Sequence, residues 1–237
     1  MTAALAFLAG VLAAVSGFGI GSLLTPLLAA RVGTKLAVAA VSVPHCVATA
    51  FRFWMMRKDV DRRLLWSFGL MSAAGGLAGA LLHASADSPV LTLIFGGLLI
   101  FTGAMGLTGL SDRLRFRGWV ACVARAVSGL LGGLVGNQGG IRSAALLGFD
   151  VPRRAFVATA TAVGLIVDGA RMPVYLATQG DEIAGLWPVL VTATLGALAG
   201  TVLGERILRR VPEPAYRRIV SALILVLGAV MLFGLSS

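Results

Sequence analysis

The sequence predicts an all-α integral membrane protein of two inverted repeats, each a glycine-broken, re-entrant segment plus three transmembrane helices. Three observations lead there: composition, the placement of apolar runs relative to Lys and Arg, and an internal repeat at an offset of about 120 residues. Of 237 residues, 58% are hydrophobic and 13% charged, with a mean hydropathy of +0.93, far to the apolar side of a soluble domain. A membrane helix needs about 20 residues, so the apolar content suffices for about six spans. The net charge of +10 is therefore read first as loop charge and not as a nucleic-acid footprint. Cys46 and Cys122 both lie in apolar runs, and two cysteines make no disulfide framework.

Apolar runs fall at about residues 2–30, 36–56, 64–82, 89–110, 119–148, 155–178, 186–204 and 219–235, eight spans by simple hydropathy. The first run lacks the basic n-region of a signal peptide, its first cation being Arg31, and reads as part of the mature fold. The second holds Pro44 and His45, the third the Gly75/Gly79 pair, the sixth Asp168 and Arg171, and the seventh Gly196/Gly200. Such Gly-x-x-x-Gly spacings are expected to serve helix packing. The first and fifth runs are about 30 residues long and carry central glycine clusters: Gly17, Gly19 and Gly21 in one, Gly132, Gly133, Gly136, Gly139 and Gly140 in the other. Each is a single broken span or a re-entrant hairpin, the latter giving six full spans plus two broken segments.

Loop charge decides between these for the fifth run. A single crossing would divide the loop cations evenly between the faces. If the run leaves by the face it entered, one face holds Arg57, Lys58, Arg62, Arg63; Arg113, Arg115, Arg117; Arg153, Arg154; and Arg206, Arg209, Arg210, Arg217, Arg218, against Arg31 and Lys35 on the other. That is a strong positive-inside asymmetry. The outer loops, His83 to Ser88 and Gln179 to Gly185, then carry no Lys or Arg. Irregular backbone at membrane depth needs protein or water around it, so the hairpin is expected to line a cavity.

The second half repeats the first. The stretch from Leu186 aligns with that from Leu65 at an offset of 121, pairing Trp66 with Trp187 and Gly79 with Gly200. Thr34 to Ala37 pairs with Pro152 to Ala155 at 118, and Pro89 with Pro214 and Gly103-Ala104 with Gly228-Ala229 at 125. The halves are read as residues 1–110 and 119–237 around a cytoplasmic linker at 111–118. Three crossings per half is odd, so the second copy is inserted upside down, the arrangement of secondary transporters with substrate near the midplane.

The stretch Ser16-Gly17-Phe18-Gly19-Ile20-Gly21 followed by Leu24-Thr25-Pro26-Leu27-Leu28, echoed by Gly136-Asn137-Gln138-Gly139-Gly140, resembles the twin glycine-rich motif of the TauE/SafE sulfite exporter family. The resemblance extends over essentially the whole chain, including the Pro-x-x-Ala start at Pro152 to Ala155. It implies export or uptake of sulfite, sulfonates or related small organic anions.

Polar groups inside spans are costly, about 2.5 to 3.5 kcal/mol for a central Arg or Asp. They are His45, Arg52, Arg125, Asn137, Gln138, Arg142, Asp168 and Arg171. Arg142 follows the glycine break, where free N–H groups and a positive dipole end favour an anion and guanidinium adds a fork of donors. Asn137 and Gln138 add amides, and Gly139 and Gly140, like Gly19 and Gly21, allow close approach. The plain alternative is that Arg142 snorkels to the surface. Asp168 and Arg171 share a helix face with Thr161, Gly164 and Tyr175; they form either a structural ion pair or a couple in which a protonated Asp168 frees Arg171 for substrate. Arg52 aligns with Arg171 at an offset of 119, which places one guanidinium on each side of the midplane, although snorkelling explains each equally well. His45 is a proton carrier or a lone histidine packed between helices, and Arg125 is expected to snorkel.

The expected function is therefore a multi-pass cell (inner) membrane transporter that moves a small anion by alternating access with protons as a coupling ion. An anion channel with a continuous pore is the alternative. A membrane enzyme is disfavoured because no nucleophile constellation, metal cluster or nucleotide loop can be named, and no cofactor is expected. The expected partners are the anion, protons and the lipid bilayer, without nucleic acid, and a homo-oligomer is compatible with the sequence.

Overall fold

The computed structural model describes residues 20–110, 118–136, 152–208 and 213–234, together with Phe7. Among these residues the regular structure is helical throughout: α1 (Ile20–Val32), α2 (Thr34–Met56), a 3-10 turn (Arg57–Asp59), α3 (Arg62–Ser85), α4 (Ser88–Thr108), α5 (Gly118–Val135), α6 (Arg153–Gly185), α7 (Trp187–Leu208) and α8 (Glu213–Phe233). Four stretches are long and apolar enough to cross a membrane: Thr34–Asp59, Arg62–Ser85, Ser88–Thr108 and Arg154–Gly185. Ile20–Val32, Trp119–Val135, Trp187–Leu203 and Arg218–Phe233 are shorter apolar helices. Exposed apolar side chains such as Trp66, Leu70, Leu93 and Phe233 are what a lipid-facing surface requires.

Contacts fix the helix directions. Gly33, at a φ of +79° that favours glycine, turns α1 back on α2. This turn abuts the α3–α4 junction, where Lys35 Nζ donates to Ala84 O at 2.8 Å and Thr34 Oγ1 lies 2.5 Å from Thr92 Oγ1. At the opposite end, Asp61 accepts from Leu64 N as the N-cap of α3, its own N–H donates to Thr159 Oγ1 at 3.0 Å, and Arg154 pairs with Asp59 at 3.7 Å. The starts of α3 and α6 therefore share the basic end. Helix α5 runs parallel to α3: Arg125 lies level with Ser67 and Ser72, and Leu134 with His83.

Small residues bring α3 and α5 together. A Cβ on Gly79 would stand 2.1 Å from Leu130 O, on Gly75 2.3 Å from Ala126 O, and on Gly133 1.9 Å from Gly76 O, so the backbones approach as only small residues allow. The Gly75/Gly79 spacing thus serves packing. Helices α4 and α8 cross antiparallel through Gly96, Gly103 and Gly228.

Three boundaries differ from the sequence reading. Residues 179–185, expected as an outer loop, continue α6 beyond a break at Gln179 (φ −141°, ψ 20°). The polar composition of this stretch suggests a loop, but after the break the chain resumes helical conformation up to Gly185. The loop expected from His83 to Ser88 shrinks to Ala86 and Asp87, because α3 extends to Ser85 and buries His83. The loop expected at 205–218 is helical through Leu208 and again from Glu213.

The α3–α5 seam predicts that Gly79→Ala costs about 1–3 kcal/mol through overpacking and lowers the thermal midpoint of detergent-purified protein. Gly97→Ala, at a position open to at least 4 Å, should leave it unchanged; circular dichroism melts compare the two.

Candidate functional site

Helix α5 ends inside the protein at Val135, and the last four carbonyls of a helix have no partner within it. Here other helices supply partners. Arg171 Nη1 on α6 donates to Gly132 O at 2.6 Å, Tyr175 Oη donates to Gly133 O, and His83 Nδ1 on α3 donates to Leu134 O at 2.8 Å. Gly136, at φ +73°, closes the end by donating its N–H to Gly132 O at 3.1 Å, the left-handed cap that glycine adopts freely. A cation at this end also meets the negative pole of the helix dipole.

Asp168 is the counterion. Its Oδ1 accepts from Arg171 Nη2 at 2.7 Å and from Nε at 3.0 Å, a fork that only guanidinium provides. Its Oδ2 lies 2.7 Å from His45 Nδ1 on α2. Asp168 is 0% exposed and Arg171 2%, so Arg171 does not snorkel. An isolated buried charge would be prohibitive; pairing and full hydrogen bonding offset that desolvation. Next to the cluster, Ser42 Oγ lies 2.9 Å from Met172 Sδ, and Pro44 and Pro173 each remove one ladder hydrogen bond from their own helix.

The two glycine-broken runs meet at this point. A Cβ on Gly21, near the start of α1, would come within 2.7 Å of Gly136 O, and one on Gly136 would lie 3.5 Å from Arg171 Nη1. Gly21 and Gly136 are thus in backbone contact beside the guanidinium.

Of the residues singled out from sequence, the structure brings together His45, Asp168, Arg171 and Gly21. His45 is not a lone packed histidine but a ligand of Asp168. Arg52 lies two turns beyond His45 on α2 and is half-buried. Arg125 reaches Ser67 O at 3.3 Å near the basic end and stands 5.6 Å over the Phe68 ring. Gly19, Asn137, Gln138, Gly139, Gly140 and Arg142 lie outside the described residues. Among the described residues no group of three or more His, Cys, Asp and Glu could hold a metal.

His83 and Gln179 were missed. Gln179 Nε2 lies 3.3 Å from His83 Nε2, and the His83 ring stands 4.9 Å from Tyr175. With Nδ1 donating to a carbonyl, Nε2 is left to accept from the Gln179 amide. The available signal was spacing: His83 follows Gly79 by four residues and Gly76 by seven, on the packed face of its helix.

These features define a multi-helix integral membrane protein with a charged cluster sealed where elements from both halves of the chain meet. The chain belongs to the sulfite exporter TauE/SafE family, whose model matches residues 2–231, and is thus a membrane transport protein. No curated protein and no solved structure matches it.

Removing either member of the buried pair leaves the other uncompensated, so Asp168→Ala and Arg171→Ala should each cost about 3–5 kcal/mol. The double variant should lose clearly less than the sum; denaturant unfolding in detergent completes the cycle.

Proposed function

We propose that the chain is a secondary transporter that carries a small anion, sulfite or a sulfonate or related organic anion, across the cell membrane by alternating access. The observation that carries this reading is the Arg171 guanidinium, buried among α2, α5 and α6 and held at 2.7 Å by Asp168, which His45 also contacts at 2.7 Å. Guanidinium recognises planar and tetrahedral oxyanions through paired donors, and the family's name supplies sulfite as the substrate class. Asp168 occupies the fork as an internal anion. A proton taken up by Asp168, with His45 as its relay, weakens that hold and opens Arg171 to substrate.

Asn137, Gln138, Gly139, Gly140 and Arg142 follow Gly136 in sequence; with Gly19 and Gly21 they are proposed to complete the anion site. Arg52 is proposed as a gate toward the basic end. The inverted arrangement is supported by the α4–α8 crossing. The repeat offset of 125 exchanges Gly96 with Ser221 and Gly103 with Gly228. It therefore turns the Gly96–Gly228 contact into Gly103–Ser221, and both are present. Helices that cross antiparallel through contacts equivalent under the repeat behave as if related by a two-fold axis in the membrane plane. A re-entrant fifth run is supported by α5 and α6 both starting at the basic end.

Uptake of radiolabelled sulfite, a sulfonate and a carboxylate into proteoliposomes, with and without a pH gradient, tests the reading. Saturable sulfite uptake with trans-stimulation is expected; its absence with intact flux would indicate a channel. Arg171→Lys, which keeps the charge and loses the fork, should lower uptake at least about tenfold, since a hydrogen bond to a charged group contributes about 1.5–3 kcal/mol. Asp168→Asn should flatten the pH profile. Parental uptake by Arg171→Lys sinks the site, and an unchanged profile in Asp168→Asn sinks the relay.

A further inference from the structure

A recess of about 440 Å³ opens at the basic end of α2 and α3, lined by Phe53, Arg57, Lys58, Val60, Arg62 and Leu65. Three of its six lining residues are cations and none is acidic. The two carboxylates of the same turn face other partners: Asp61 caps α3 through Leu64 N, and Asp59 pairs with Arg154. Arg57 is held in place, its guanidinium carbon 3.9 Å over the Trp54 ring and its Nη1 donating to Trp54 O at 2.7 Å. Among the described residues, no carboxylate neutralises the recess from within its walls.

The flanking residues give its depth. Trp54 and Trp66 stand 63% and 69% exposed beside it, and indoles so placed sit at the headgroup level of a bilayer. Of the lining residues, Arg57, Lys58 and Arg62 are exposed and Phe53, Val60 and Leu65 half-buried, a cationic rim over an apolar floor that matches a phosphate headgroup followed by glycerol and acyl carbons. Basic pockets between membrane helices on the Lys/Arg-rich side take anionic headgroups.

We infer that this recess is a binding site for an anionic phospholipid, with Arg57, Lys58 and Arg62 holding the phosphate and the apolar floor receiving the first acyl carbons. The inference is independent of what Arg171 carries. A free oxyanion could engage the same cations, and only the lipid uses the floor.

Native mass spectrometry of the full-length chain, in detergent with equimolar phosphatidylglycerol and phosphatidylcholine, should show retained phosphatidylglycerol favoured about tenfold or more, as expected when each nearby cation adds to headgroup attraction. The variant Arg57→Gln/Lys58→Gln/Arg62→Gln should bring the ratio toward unity. Arg113→Gln/Arg115→Gln/Arg117→Gln, an equal loss of positive charge elsewhere in the sequence, should leave it in place. Helicity by circular dichroism verifies folding, and Lys58→Gln alone should lower the ratio if the triple variant fails to fold. Equal retention of both lipids by the parent, or equal effects of the two triple variants, overturns the site. Inorganic phosphate or sulfite raising the thermal midpoint as much as phosphatidylglycerol does would overturn the lipid reading in favour of a free anion.

Discussion

A helix that stops inside the protein must find partners for its last carbonyls, and this requirement at Val135 organises the centre of the molecule. The partners come from Arg171, Tyr175 and His83, on helices that start at the same end as α5. Capping alone would need only neutral donors. Using a guanidinium brings in a buried charge, the charge requires Asp168, and the second oxygen of Asp168 engages His45 on α2. Each partner follows from the one before, so the α5 terminus ties three other helices together.

That chain of bonds depends on how closely α3 approaches α5. With Ser72, Gly75, Gly76 and Gly79 facing Ala126, Gly129, Leu130 and Gly133, the two backbones touch, and His83 one turn further along reaches Leu134 O. Larger residues at the seam would withdraw His83 and loosen its grip on Gln179, where α6 already breaks. Membrane helices have no water-driven force pulling them together, and close packing takes its place. In this protein the packing seam and the polar cluster are two ends of the same interface.

Much of this was legible in the residues. The all-helical class, the packing role of Gly75 and Gly79 and the i, i+3 relation of Asp168 to Arg171 follow from hydropathy and periodicity, because packing at fixed spacing leaves a pattern in one segment, whereas the choice of α5 as the partner of that face does not. His45 joining Asp168 was not legible: 123 residues separate them, and nothing local to Pro44-His45 says which helix lies opposite. The same holds for His83. A histidine at the edge of an apolar run looks like the start of a loop unless the partner carbonyl on α5 is known. Hydropathy ends the sixth run at residue 178, where α6 does break at Gln179, but it could not show that the chain resumes helix up to Gly185, because it measures transfer into lipid and not backbone conformation.

Asp168 has a consequence for the unloaded protein. A bare guanidinium facing a low-dielectric interior would resist any rearrangement that changed its surroundings, because the cost of burying one charge varies steeply with environment. Paired with a carboxylate on its own helix, three residues away, Arg171 carries its counterion within α6, so the pair presents little net charge to the helices around it. The electrostatic balance at the centre of the protein is thereby set within one helix and does not depend on where the neighbouring helices stand.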